Sequence, residues 1–140
     1  MRAVRLLDHG GPSGVVVEEI DRPVAAPGEA LVRVRTAAIT RGELDWPVDR
    51  LPAIPSYELS GVVEAVGSGV EELTHGDEIF ALTPFDRDGV AAEYAAVPTN
   101  VLAPEPRTID HVESAAIPMG ALTAWQALFL QGGLVRINGC

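Results

Sequence analysis

The sequence contains one cysteine, Cys140, at its last position. A single cysteine excludes an intrachain disulfide, and proteins without disulfides are typical of reducing compartments. The first residues, from Met1 to Val4, lead into a strand-like pattern and do not resemble a signal peptide. We therefore expect a cytoplasmic protein.

Long apolar runs and basic residues are also scarce. No run approaches the roughly 20 apolar residues that a membrane-spanning helix requires, so no membrane partner is expected. The formal net charge is −10. Because phosphate binding requires a basic surface, this charge argues against a nucleic-acid partner. The length of 140 residues is enough for one domain with its own core.

The chain is organised around the stretch from Ile54 to Leu82. Short runs rich in β-branched residues predict strands at Gly61–Val66 and Glu78–Leu82. Between them, Gly67 and Gly69 allow the positive φ that a tight reversal requires. The stretch is therefore predicted to form a hairpin-like corner of a closed or sandwiched β-structure.

Further strands are predicted before and after this corner. Alternating or β-branched apolar residues indicate strands at Met1–Leu7, Val15–Ile20, Ala30–Ala38 and Val90–Val97. Between the third of these and the corner, Thr40–Trp46 is predicted to be a turn or a single helical turn. The pattern favours an antiparallel β-barrel or sandwich.

Two helices follow the strands. Asp110 and Glu113 have the spacing of a capping box, which predicts that a short helix begins there. Met119–Leu130 is predicted to be the longer helix, with an apolar face, and Gly132 ends it. A buried strand is predicted at Leu134–Asn138. The predicted fold is thus mainly β with carboxyl-terminal helices.

The central stretch carries an ordered motif that is long enough to identify a family. Its residues are Pro55, Glu58, Gly61, Val62, Val63, Val66, Gly67, Gly69, Val70, Gly76, Asp77 and Phe80. This pattern resembles the amino-terminal, GroES-like domain of the medium-chain dehydrogenase/reductases. The resemblance implies a GroES-like antiparallel β-barrel, with a substrate-side domain at residues 1–118. Residues 119–140 would form a linking helix and the start of a dinucleotide-binding domain.

Many members of this family are zinc alcohol dehydrogenases, and the resemblance implies where their ligands would lie. Thr40 stands at the position of the cysteine in the loop after the third strand, and Tyr57 stands at the position of the histidine. A hydroxyl and a phenol are poor zinc ligands. His9, His75 and His111 lack ligand spacing and are expected to be solvated. No zinc is expected, which indicates the quinone oxidoreductase-like branch.

Members of that branch transfer a hydride from a nicotinamide cofactor, usually NADPH, to a quinone or an activated carbon–carbon double bond. The resemblance therefore implies a small-molecule quinone or enone as substrate. Tyr57 and Thr40 are the candidate catalytic residues. A phenol can donate a hydrogen bond to a carbonyl oxygen on which enolate charge develops. The alternative for Tyr57 is an aromatic residue at the rim of the barrel whose hydroxyl is already satisfied.

The candidate substrate-binding residues are Asp45, Trp46 and Phe85. A buried tryptophan with a capping aspartate is the alternative for the first two. Glu58 is predicted to be a structural acceptor for neighbouring backbone. Glu43 is predicted to be a solvated or locally capping carboxylate.

The resemblance implies two cofactor contacts, Thr123 and Gly139. The family places a threonine of the linking helix near the nicotinamide, although Thr123 could equally bond to a carbonyl of its own turn. Gly139 would open the glycine-rich turn after the first strand of a dinucleotide-binding unit. The remaining parts of such a site do not occur in the sequence, so this chain alone is expected to be inactive and to bind no dinucleotide tightly.

Two hypotheses for the function remain open. The first is the substrate-side domain of a zinc-independent, NADPH-dependent quinone or enone reductase. The second is a non-catalytic GroES-like barrel that serves as a binding or assembly module. Its motivation is the apolar face of Met119–Leu130, which would be uncovered in this chain and could mediate self-association.

Overall fold

The computed structural model describes residues 1–8, 11–40, 42–45 and 51–134. Within these ranges the strands and helices are β1 (Arg2–Leu6), β2 (Val15–Glu19), β3 (Glu29–Ala38), β4 (Glu58–Val66), β5 (Glu78–Leu82), β6 (Tyr94–Pro98), β7 (Ala103–Pro104), α1 (His111–Ala115) and α2 (Pro118–Trp125). Short 3-10 turns occupy Gly11–Gly14, Glu43–Asp45 and Thr99–Val101, and a π-helical segment, Gln126–Gln131, continues α2.

The strands form two antiparallel sheets. The larger sheet has the order β6-β3-β4-β5-β7, and the smaller one pairs β1 with β2. Isolated bridges from Ala3 to Ala92 and from Leu6 to Ala53 join β1 to loops of the larger sheet. The predicted fold, mainly antiparallel β with carboxyl-terminal helices, is confirmed.

The core lies against the larger sheet. Its members come from alternating positions of β3 and β4 and from β5 and β6, and the largest are Val32, Leu59, Val63, Ile79 and Val97. Helix α1 packs on β3 and β4, and its Ser114 and Ala115 are fully buried. Helix α2 buries only Pro118 among its residues, so most of its surface is exposed.

Most predicted strands are confirmed, with two shifted starts. β4 begins at Glu58 rather than Gly61, because Glu58 pairs with both Ala38 and Leu82. β6 begins at Tyr94 rather than Val90. The N–H groups of Val90 and Ala91 donate to the carbonyl oxygens of the segment 54–56 instead of to β3. The predicted pairing of the two strands in the central corner is confirmed, because β4 and β5 are antiparallel neighbours.

Both predicted helices are present. The capping box of α1 is complete: Asp110 Oδ1 accepts the Glu113 N–H at 2.9 Å, and Glu113 Oε2 accepts the Asp110 N–H at 3.3 Å. The longer helix starts at Pro118, because proline lacks the N–H that would go unpaired in a first turn. The predicted strand Leu134–Asn138 lies, after its first residue, outside the described ranges. Across the described ranges, no helix has the length and apolar character needed to cross a bilayer.

Candidate active site

Three distant chain segments meet at the carboxylate of Glu58, at the start of β4. Glu58 is 5% exposed. Its Oε1 accepts the backbone N–H of Met119 at 2.9 Å, and its Oε2 accepts the Thr40 hydroxyl at 3.2 Å. The Thr40 hydroxyl also lies 3.5 Å from Met119 Sδ. Glu58 therefore acts as the structural acceptor that the sequence predicts, and it joins the sheet to the first turn of α2.

A second buried carboxylate, Glu43, orders the loop before β4. Its Oε2 accepts the Thr40 N–H at 3.0 Å, and its Oε1 accepts the Ser56 N–H through a short hydrogen bond. Glu43 is 5% exposed, so the expectation of a solvated carboxylate is wrong, whereas the expected capping of its own turn is present. The hydrogen bond from the Ser56 N–H, 13 positions along the chain, holds the Glu43 side chain in the interior.

Ser56 has a φ of 69°, in the left-handed region that residues other than glycine rarely adopt. Two contacts hold it there. Its N–H is bound by Glu43, and its hydroxyl donates to the Ala38 carbonyl at 2.9 Å. This backbone conformation immediately precedes Tyr57 and the start of β4 at Glu58.

Burial raises the pKa of the Glu43 carboxyl above the ordinary glutamate value. The N–H groups of Thr40 and Ser56 act in the opposite direction, and the nearby charge of Glu58 raises the pKa further. The protonated form of Glu43 is therefore favoured in the folded protein relative to the unfolded chain.

Glu58→Gln should make the stability of the protein less dependent on pH. Because the folded-state pKa of Glu43 is raised, its contribution to stability is complete below the unfolded pKa and is lost as pH rises through the folded pKa. Removing the charge of Glu58 lowers that pKa, so the loss of stability between acidic and neutral pH should become smaller. The measurement is urea unfolding across that range.

The glutamine substitution preserves the local contacts. Its carbonyl oxygen can accept the Met119 N–H, and its amide can donate to the Thr40 hydroxyl. Glu18→Gln, on the exposed part of β2, is the matched control and should leave the profile unchanged. An unchanged profile for Glu58→Gln would show that the two carboxylates do not interact.

Tyr57 lies beside this cluster and packs on a loop residue. Its ring centroid is 4.8 Å from that of Phe85, with 58° between the ring planes. Tyr57 is 5% exposed and Phe85 is 52% exposed. The Tyr57 carbonyl accepts the N–H of Thr83 at 2.7 Å and its hydroxyl at 3.0 Å, which fixes the backbone below the ring.

The remaining candidate residues are more scattered. Asp45 is exposed at the end of the 3-10 turn, where its N–H donates to the Gly42 carbonyl at 2.9 Å. Thr123 is exposed on α2. Trp46 and Gly139 lie outside the described residues. Among the candidate residues, Thr40 is hydrogen-bonded to Glu58, the chain neighbour of Tyr57, and the Tyr57 ring packs on Phe85.

The residues at the implied zinc positions do not fit a zinc ion. The Thr40 hydroxyl is directed to Glu58 and Met119, and the Tyr57 ring is packed on Phe85. Zinc sites in proteins are built from thiolates, imidazoles and carboxylates, and the two carboxylates near Thr40, those of Glu58 and Glu43, each already accept two hydrogen bonds.

A second polar cluster was not predicted from the sequence. Ser60 Oγ lies 2.8 Å from Glu105 Oε1 and 2.7 Å from His111 Nδ1, and the latter two atoms are 2.8 Å apart. The expectation that His111 is solvated is therefore wrong. The residues are 45 and 51 positions from Ser60, so no local spacing could have indicated the contact.

The family model and the relatives that match this chain indicate the same family. The model of the alcohol dehydrogenase GroES-like domain matches residues 26–107. The chain is 33% identical to an NADPH-dependent alkenal/one oxidoreductase of Arabidopsis thaliana, covering 91% of the chain and 37% of that protein. It is 29% identical to the chloroplast envelope quinone oxidoreductase homolog of the same plant, covering 99% of the chain and 45% of that protein.

Solved structures agree with these sequence matches. A crystal structure of an NAD-dependent alcohol dehydrogenase superposes with a TM-score of 0.88 at 32% identity, covering 95% of the chain and 48% of that protein. Relatives named for zinc also match the chain. The chain therefore spans less than half the length of the proteins it resembles.

Proposed function

The chain belongs to the family of alcohol dehydrogenase GroES-like domains, and on that premise we propose that it is the substrate-side domain of an NADPH-dependent oxidoreductase. The reaction proposed is reduction of a quinone or an activated carbon–carbon double bond by hydride transfer. The names of the quinone oxidoreductase and alkenal/one oxidoreductase relatives support this substrate class. In this proposal residues 1–118 form the substrate side, and residues 119–140 lead towards the cofactor-binding part.

The observation that carries the proposal is the chemistry at the two family ligand positions. Thr40 and Tyr57 offer O–H groups there, in surroundings that do not fit zinc. Without a metal to polarise the acceptor, an O–H donor must stabilise the negative charge that develops on its carbonyl oxygen. Tyr57 is assigned this role. Its phenol donates to the oxygen, and the packing on Phe85 and the anchored backbone hold the ring in place.

Thr40 acts differently in this proposal, because its hydroxyl is bound to Glu58. It keeps the loop before β4 attached to α2 through Glu58 and Met119. The half-exposed ring of Phe85 supplies an apolar surface for a flat quinone or enone. Asp45 and Trp46 are the other residues proposed to contact the substrate. NADPH supplies the hydride when bound, and the exposed hydroxyl of Thr123 on α2 is suited to contact it, with Gly139 as the second proposed contact.

Joining the chain to the part of a relative that it does not match tests this function. In such a fusion, the unmatched remainder of the Arabidopsis NADPH-dependent alkenal/one oxidoreductase follows this chain. The fusion should oxidise NADPH when a small quinone or enone is added, and the isolated chain should not. Turnover by the isolated chain, or a fusion that oxidises only alcohols and only with added zinc, would contradict the proposal.

A non-catalytic binding or assembly module is the second candidate function. The observation that favours it is the exposed apolar surface of α2 and its continuation, where Leu122, Trp125, Leu128 and Leu130 are 44%, 57%, 47% and 68% exposed. A second copy of the chain would cover this surface, since large apolar patches usually have a partner. Light scattering that finds only monomers would exclude this candidate.

A further inference from the structure

The cluster of Glu78, Glu105 and His111 lies outside the proposed active site. Glu78 begins β5, Glu105 follows β7, and His111 begins α1. We propose that these three side chains bind a divalent transition-metal cation, Zn²⁺ being the best match, with the Ser60 hydroxyl positioning the ligands. The cation has a structural role in this proposal, because the cluster joins the sheet to α1.

The geometry brings the donor atoms into range of one ion. One ligand atom from each of the three side chains lies within 4.8 Å of the others. His111 Nδ1 and Glu105 Oε1 are already 2.8 Å apart. Bonds of about 2.0–2.2 Å to zinc place the ligand atoms of a tetrahedral site about 3.4 Å apart. The distance between His111 Nδ1 and Glu105 Oε1 must therefore increase by roughly half an ångström when zinc binds. The exposed side chain of Glu78 can rotate towards them.

Burial makes two of the ligands well defined before any ion binds. The side chain of Glu105 is 7% exposed and that of His111 is 27% exposed. Ser60 is fully buried, and its hydroxyl contacts both of them at 2.8 Å and 2.7 Å. This hydroxyl holds the carboxylate and the imidazole beside each other, and an ion bound to His111 Nδ1 would take its place at that nitrogen.

The donor set selects the kind of cation. An imidazole nitrogen with two carboxylates suits zinc and its first-row neighbours, whereas Mg²⁺ and Ca²⁺ prefer oxygen ligands alone. Two carboxylates also compensate the charge of a divalent ion. Three protein ligands leave a fourth position for water in a tetrahedral arrangement.

Isothermal titration and thermal unfolding with Zn²⁺ test the site. The experiment uses the full chain with Cys140→Ser, so that the single thiol cannot hold the ion. We expect one Zn²⁺ per chain and a rise in Tm of about 5 °C at saturating metal. His111→Gln and Glu78→Gln should each weaken Zn²⁺ binding at least about tenfold and abolish the rise in Tm. Because Glu78 is exposed, its variant should fold even if that of His111 does not.

Two controls make the result specific. Glu18→Gln removes one exposed carboxylate elsewhere and should keep the full affinity for Zn²⁺. Mg²⁺ should bind at least about a hundredfold more weakly than Zn²⁺, because it gains little from an imidazole. The proposal is overturned by absence of Zn²⁺ binding to the parent chain, by equal affinity in both ligand variants, or by Mg²⁺ binding as tightly as Zn²⁺.

Discussion

Gly89→Ala should lower the free energy of unfolding by about 3 kcal/mol and Tm by about 10 °C. A β-carbon at this position would lie 2.1 Å from the Ser56 carbonyl oxygen, 2.5 Å from that of Pro55 and 2.7 Å from that of Ile54. All three are backbone atoms, which cannot rotate away as a side chain can. The segment must therefore move as a whole.

That movement would also break hydrogen bonds. The N–H of Gly89 donates to the Ile54 carbonyl at 2.8 Å, and the N–H of Val90 donates to the Ser56 carbonyl at 2.7 Å. The substitution should thus disturb the direction of Ser56 and Tyr57 as well as stability. Thermal and urea unfolding measure the loss.

Gly120→Ala is the matched control for this methyl addition. Gly120 lies in α2, and a β-carbon there would meet nothing within 4 Å. Alanine favours the helix over glycine, so this variant should gain about 0.5–1 kcal/mol. Equal stability of Gly89→Ala and the parent chain would mean that the backbone of residues 54–56 can move away at little cost in free energy. That segment would then not hold Ser56 and Tyr57 in a fixed position.

Tyr57→Phe should reduce kcat about 100-fold in the fusion described above, with little change in KM. The phenol is assigned to stabilise charge that appears only as the reaction proceeds, so its loss affects the transition state more than substrate binding. The ring remains and keeps its packing on Phe85. Unfolding of the variant should therefore stay within about 1 kcal/mol of the parent.

Tyr94→Phe is the control for loss of a phenol. Tyr94 lies on β6, and the guanidinium of Arg22 is 3.8 Å from its ring centroid, a contact that phenylalanine retains. Its turnover should equal that of the unsubstituted fusion. If Tyr57→Phe also turns over normally, Tyr57 is a structural aromatic residue at the rim, which is the alternative that the sequence leaves open.

Local sequence signals predicted most of the fold. Glu78–Leu82 was predicted with the bounds that the structure has, because its short apolar run is bracketed by turns. The Asp110–Glu113 capping box also depends only on neighbouring residues. The start of β6 was missed because the backbone of Val90 and Ala91 bonds to a segment more than thirty positions earlier.

The site was predicted less completely than the fold, for the same reason. The motif contains Glu58, whose acceptor role was predicted, and the family resemblance implied Thr40 and Tyr57. The burial of Glu43 depends on the N–H of Ser56, which is 13 positions away and lies in a rare backbone conformation. The contact of His111 with Ser60 spans 51 positions. Such long-range polar contacts leave no periodic pattern in a single sequence.

The two hydrogen bonds of Glu58 have a mechanical consequence. The helix that begins at Pro118 is hydrogen-bonded to the sheet in its first turn, where the Met119 N–H donates to the Glu58 carboxylate. Its carboxyl-terminal end is exposed to solvent within the described residues. The carboxylate therefore joins the first turn of this helix to the loop before β4, because its other oxygen accepts the Thr40 hydroxyl. A shift of the helix at Met119 would change both contacts together.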